Sequence, residues 1–182
     1  MYTEADQQAL AKAQAEFKKE YQIRSGTHTL ISLSVSLIMI AIMVICLLQF
    51  VFIIQPVYGN GMSPTIADGQ YIVANRLAYQ MRQPQRGEVI LSSGRIYRII
   101  GMPGETIKFY GGHVYINDTL VEEEYILDGT LTYPVYQNEE IIIPDDSYFV
   151  LVDNRQNYDD SRQGRVLSTA QLGNVSKIMF VF

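Results

Sequence analysis

The stretch "GNGMSPTIADG", Gly59 to Gly69, holds residue types that chemistry would use: a glycine-rich turn, then Met62, Ser63, Pro64 and Thr65, then Asp68 and Gly69 ahead of an apolar run. A serine hydroxyl is a weak nucleophile unless a neighbouring base takes its proton. Bases are scarce in this chain. The one cysteine, Cys46, lies in a long uncharged run, which excludes an intrachain disulfide and leaves no thiol for the residues beyond it. Of the two histidines, His28 sits at the edge of that run, and His113 follows the Gly-Gly pair of "YGGHVYIND", the place of a hairpin residue rather than a metal ligand or triad base. Zinc chemistry and Ser-His-Asp catalysis are therefore not expected, and no metal or cofactor is expected. Lys108 and Lys177 are the only amines after the apolar run.

The elements that must position these residues fall into three segments. Residues 1–28 are rich in Ala, Gln, Glu and Lys and read as a helical or frayed cytoplasmic tail. Residues 29–54, "TLISLSVSLIMIAIMVICLLQFVFII", carry no charge, and at about 1.5 Å rise per residue such a helix spans a hydrocarbon core of about 30 Å. The apolar run exceeds the roughly 7–15 residues of a secretory signal core, so one transmembrane helix is expected. Lys18, Lys19 and Arg24 precede the span and the first cation after it is Arg76, which places the N-terminus in the cytoplasm and residues 55–182 outside the cell membrane. This outer part holds 10 Lys and Arg against 15 Asp and Glu, and so lacks the basic stripe of a nucleic-acid binder.

Beyond the span the pattern turns to short β-rich runs: "QYIVAN", "EVILSS", "RIYRIIG", "TIKFY", "HVYIN", "EEIIIP", "SYFVLV" and "SKIMFVF". "YGGH" and "INDT" stand where tight turns join antiparallel partners. "STAQLG", with Ser168 as N-cap and Gly173 as stop, suggests the one helical turn. The expected fold is all-β: an antiparallel barrel or curled sheet after one N-terminal transmembrane helix.

Five blocks in order, "GNGMSPTIADGQYIVANRL", "RGEVI", "YRIIGMPGET", "GGHVYINDTLVEEEY" and "PDDSYFVLVDNRQNYDDSRQGRV", resemble the type I signal peptidases, in a form similar to the Gram-positive members with a single N-terminal span. In that family a serine followed by Met-x-Pro-Thr is the nucleophile, and a lysine before Arg-hydrophobic-hydrophobic-Gly-x-Pro-Gly is its general base. Carried over position by position, the resemblance puts Gly61 where the serine stands, Tyr97 where the lysine stands, and Tyr158 where a serine hydrogen-bonds that lysine. Val152 replaces a further glycine of the last block.

Glycine has no proton to give, and a phenol of pKa about 10 is a poor base at neutral pH. In a hydrolase of similar logic, loss of the catalytic group costs about 10⁶ in turnover. An active enzyme would need a relocated nucleophile. Ser63 is the candidate, yet in an extended chain it lies about 6.6 Å beyond position 61, further than near-attack geometry allows.

Asp153, Arg155, Asp160 and Arg162 match the family's last block and read as a structural ion-pair cluster fixing loops; two neighbouring arginines disfavour an aspartic dyad. The family's site holds an extended peptide along a strand edge, so Met62, Ser63, Pro64, Tyr97 and Tyr158 are expected to line a peptide-binding groove. The sequence is similar to the catalytically degenerate signal-peptidase-like proteins of Gram-positive pilus clusters, which implies an accessory or chaperone-like role in surface pilus assembly, with pilin subunits as partners. Two other readings stand beside it: a signal peptidase acting through Ser63, and a purely structural subunit of a membrane complex.

Overall fold

The computed structural model describes residues 4–80, 82–135 and 140–182. It divides into two compact units, residues 1–48 and 49–182. The first is helical: α1 runs unbroken from Glu4 to Val51, so no break separates the polar tail from the apolar segment. Within α1, His28–Val51 has a mean hydropathy of 2.9 and none of its most apolar window is buried, which makes it long and apolar enough to cross a membrane.

The second unit is antiparallel β. Its strands are β1 (Phe52–Pro56), β2 (Tyr71–Asn75), β3 (Val89–Ser92), β4 (Arg95–Gly101), β5 (Thr106–Tyr110), β6 (His113–Ile116), β7 (Thr119–Leu120), β8 (Glu140–Ile142), β9 (Ser147–Leu151), β10 (Leu167–Ser168) and β11 (Val175–Val181). Seven pair in the order β1-β2-β11-β3-β4-β9-β10, and four in the order β7-β6-β5-β8. The expected curled or barrel-like sheet is thus two sheets, with β1 and β10 at the edges of the larger.

The sequence reading placed Phe52, Ile53 and Ile54 in the span, and the structure corrects this. The helix stops at Val51, and β1 pairs along β2 from Phe52↔Asn75 to Pro56↔Tyr71. Uniform apolarity hid the change of period: β1 lends Ile53 to the core while Ile54 stays exposed, an alternation that an all-apolar run conceals.

β9 after Ser147, and β4 from Ile99, are apolar at successive positions because both faces are covered there. Ile99 and Val150 pack with Ile90 and Val175, while Ile100, Phe149 and Leu151 pack with Ile107, Phe109 and Val114 on the other side. Gly101 closes β4 where a Cβ would lie 2.2 Å from Ile143 Cδ1, so only a glycine admits that approach. β5 and β6 form the expected hairpin through Gly111 and Gly112, both at positive φ, with His113 exposed at the start of β6. "STAQLG" forms the helical turn, a 3₁₀ segment Thr169–Asn174, with Ser168 and Gln171 making a capping box. It runs one residue past the expected stop at Gly173.

Candidate peptide-binding cleft

The Gly59–Gly69 loop is held by its own hydrogen bonds. The Gly59 amide donates to Asp68 Oδ1 at 2.7 Å, the Ser63 amide to the Asn60 carbonyl at 3.1 Å, and the Ile66 amide to the Met62 carbonyl at 2.8 Å. Met62 and Ile66 are buried with Ile72, Leu91 and Val152, which fixes the loop to the core. The Asn154 amide donates to the Gly61 carbonyl at 2.9 Å, and Asn154 Nδ2 donates to the Asn60 carbonyl at 3.2 Å. The first and last sequence blocks are therefore bonded to each other at position 61.

Gly61 and Tyr97, distant in sequence, line the same cleft of about 450 Å³, together with Met62, Val152 and the chain from Gln55 to Tyr58. The site contains neither a hydroxyl at 61 nor an amine at 97. Position 61 has room for one: a Cβ there would meet Asn157 Nδ2 at 3.4 Å and Val152 Cγ1 at 3.7 Å, ordinary contacts. Burial pushes the Tyr97 phenol up, partly offset by the Arg95 guanidinium beside it, so the ring stays protonated at neutral pH. Arg95 itself forms an ion pair with Asp159 across the cleft wall.

The other expected groove residues are placed differently. Ser63 and Pro64 do not line the cleft, and neither does Tyr158, whose ring lies under the Arg162 guanidinium at 4.3 Å from its centroid. The Ser63 hydroxyl makes no hydrogen bond among the described residues, so nothing activates it. The two outer lysines are committed elsewhere: Lys177 Nζ is 2.8 Å from Glu88, and Lys108 Nζ is 3.6 Å from Asp118. Among the described residues no group of three or more His, Cys, Asp or Glu is arranged to hold a metal.

The four charges of the last block are buried, but they do not form one cluster. Arg162 pairs side-on with Asp160, Nε to Oδ1 at 2.9 Å and Nη2 to Oδ2 at 2.7 Å. Asp153 instead pairs with Arg98, and Arg155 with Glu123 at 2.7 Å and with the Thr132 hydroxyl at 2.9 Å. Tyr125 is wedged between two of these pairs, its ring 4.0 Å from Arg98 and 6.0 Å from Arg155. Arg98 and Thr65 stand inside the blocks read from the sequence and so were within reach of that reading. Glu123 also stands inside a block, but nothing in "EEE" distinguishes it from its neighbours.

With this geometry in view, the chain can be compared with known proteins. A family model described as signal peptidase, peptidase S26 matches residues 30–181. Signal peptidase I of Bacillus amyloliquefaciens is 31% identical over 177 residues, covering 90% of this chain and 94% of that protein. Signal peptidase I U of Bacillus subtilis (strain 168) is 31% identical over 186 residues, covering 91% and 92%. A crystal structure of a signal peptidase I from Enterococcus faecalis matches at a TM-score of 0.44 and 25% identity, covering 54% of this chain and 98% of that one. A match over most of the chain, with the first, third and last motif blocks contributing to one cleft, places this protein in the signal peptidase S26 family.

Proposed function

We propose that this signal-peptidase-like protein is a non-catalytic, membrane-anchored binder of extended peptide segments, and that it serves as an accessory factor in surface pilus assembly. The observation that carries the reading is the pairing of Gly61 with Tyr97 on one cleft: the family's nucleophile and base positions meet there, and neither residue type can do the work. Binding capacity is retained. β9 stops pairing with β4 at Arg98↔Leu151, so Arg95, Ile96 and Tyr97 pair with β3 alone and their other edge borders the cleft. A peptide laid on that edge would extend the sheet by main-chain hydrogen bonds, with side chains entering the space above Gly61. The apolar part of α1 would anchor the protein in a membrane, which suits a partner that is itself membrane-held, such as a pilin before polymerisation.

The test is a paired measurement on the full chain in detergent and in cells. Purified protein should cleave no signal-peptide substrate above background and should resist serine-directed acylating reagents. In cells, Gly61→Arg, which fills the cleft, should abolish pilus assembly at unchanged protein level, whereas Ser63→Arg, outside the cleft, should be tolerated. Acylation that disappears in Ser63→Ala would replace this reading with an active peptidase of relocated nucleophile. Normal pili with abundant, folded Gly61→Arg would remove the cleft from the function and favour a structural subunit.

A further inference from the structure

We propose that the cleft at Gly61 is one half of a longer groove, and that its other half is a subsite for an acidic side chain of the bound peptide; this rests on the peptide-binding reading above. A second cavity of about 290 Å³ is lined by Ser92, Arg95, Tyr97, Asp159, Arg165 and Gln171, among others. Arg95, Tyr97 and Asp159 line the first cleft as well. The wall shared by the two spaces is therefore an ion pair and one aromatic ring, drawn from the start of β4 and the loop after β9.

That wall is a strap rather than a core. The side chains of Arg95 and Asp159 are 54% and 44% exposed, and a pair so wet is readily exchanged for another. The free edge of β4 runs alongside both spaces, so a strand docked there meets the strap in passing.

The charge available in the second cavity is positive. Its other carboxylate, Asp160, is fully buried and committed to Arg162. Arg165 is exposed and makes no ion pair or hydrogen bond among the described residues. Gln171 spends its Oε1 on the Ser168 amide, which leaves its NH₂ donors free. A carboxylate entering here finds its first partner in the uncommitted Arg165; Arg95 stays with Asp159 until that contact is made, then leaves it and opens the strap. A cationic side chain would meet Arg165 and would have to evict Arg95 from its partner.

The experiment uses the full chain in detergent micelles and fluorescent extended Ala/Ser peptides that differ at one residue, Glu, Ala or Lys, moved stepwise along the sequence. At one position Glu should bind about two- to fivefold tighter than Ala, the range of an exposed ion pair, and Lys should bind more weakly than Ala. The preference should vanish in Arg165→Ala, persist in Arg165→Lys, and shrink as salt is raised. Asp159→Asn, which frees Arg95, should strengthen it. Equal binding of the three peptides at every position overturns the acidic subsite, as does a preference that survives Arg165→Ala; if Gly61→Arg still blocks binding, the cleft reading stands without it. Failure of every peptide to bind the folded wild-type protein overturns both.

Discussion

Arg98 grips Asp153 side-on, Nε to Oδ1 at 2.8 Å and Nη2 to Oδ2 at 2.6 Å, with the Asp153 side chain wholly buried and the Thr65 hydroxyl donating to the same carboxylate at 2.5 Å. This pair ties β4, the Gly59–Gly69 loop and the last motif block together. Removing one partner strands a buried charge at a cost of about 3–5 kcal/mol. Asp153→Ala should therefore lower the melting temperature by about 10 °C, followed by thermal unfolding in detergent, and any loss of function should follow loss of protein. Arg98→Met with Asp153→Leu should cost clearly less than either single change, because it strands no charge and leaves only the Thr65 hydroxyl and the Gly87 carbonyl without these partners.

Gly61→Ser alone should remain unlabelled by a serine-directed acylating reagent. The side chain fits the loop, with ordinary contacts at Asn157 and Val152, but the cleft offers no amine base, and its carboxylate, Asp159, is paired with Arg95. Gly61→Ser with Tyr97→Lys supplies an amine in a half-buried site, where burial and the Arg95 cation favour its neutral, basic form while the carboxylates of Asp159 and Asp160 favour the charged one. Slow labelling with a neutral-to-alkaline pH dependence is expected from the double variant. Adding Tyr158→Ser should help little, because that side chain lies over Arg162 rather than in the cleft, and removing the ring forfeits its cation–π contact.

Glu88 sets an acid limit on stability. Burial raises its pKa, but hydrogen bonds from Arg82, Lys177, the Gln85 amide and Tyr79 outweigh this and hold the carboxyl at about 2. A depressed folded value contributes stability that is complete above the unfolded value, about 4.5, and is lost as pH falls from there through about 2. Wild-type stability should fall across that window, and Glu88→Gln should flatten the fall. At neutral pH the variant should cost about 1–2 kcal/mol in denaturant unfolding, allowing for the exposure of Arg82 and Lys177.

Topology is checked in a background lacking Cys46. A cysteine at Asp128, an exposed loop residue, should react with an impermeant thiol reagent on intact cells, and one at Ala11 on α1 should react only after lysis. The reverse pattern would place the cleft in the cytoplasm and end the surface role.

Much of this architecture was legible because the chemistry was local. "YGGH" and "INDT" became turns since Gly111, Gly112, Asn117 and Asp118 all take positive φ there, and "STAQLG" carried its own cap. That Gly61 and Tyr97 share one cleft was legible in the resemblance to the family's motif blocks, which sets them at positions that work together. What stayed hidden depended on partners far along the chain. Asp153, Arg155, Asp160 and Arg162 looked like one cluster, yet Asp153 reaches back to Arg98 and Arg155 to Glu123, choices made by three-dimensional proximity. β1 was hidden by composition, and Tyr158 by orientation, which spacing does not specify.

The position of β11 governs when this domain is able to fold. Val175–Val181 is threaded between β2 and β3, with Lys177 opposite Asn75 on one side and Ile90 on the other. A nascent chain that has emerged only as far as β9 still lacks the strand that joins its two earliest pieces, so β1 and β2 wait as an unsupported hairpin. Such late, long-range closure slows folding. Until Val175 and the residues after it arrive, the edges of β2 and β3 that β11 will cover are open to pairing with other extended chains.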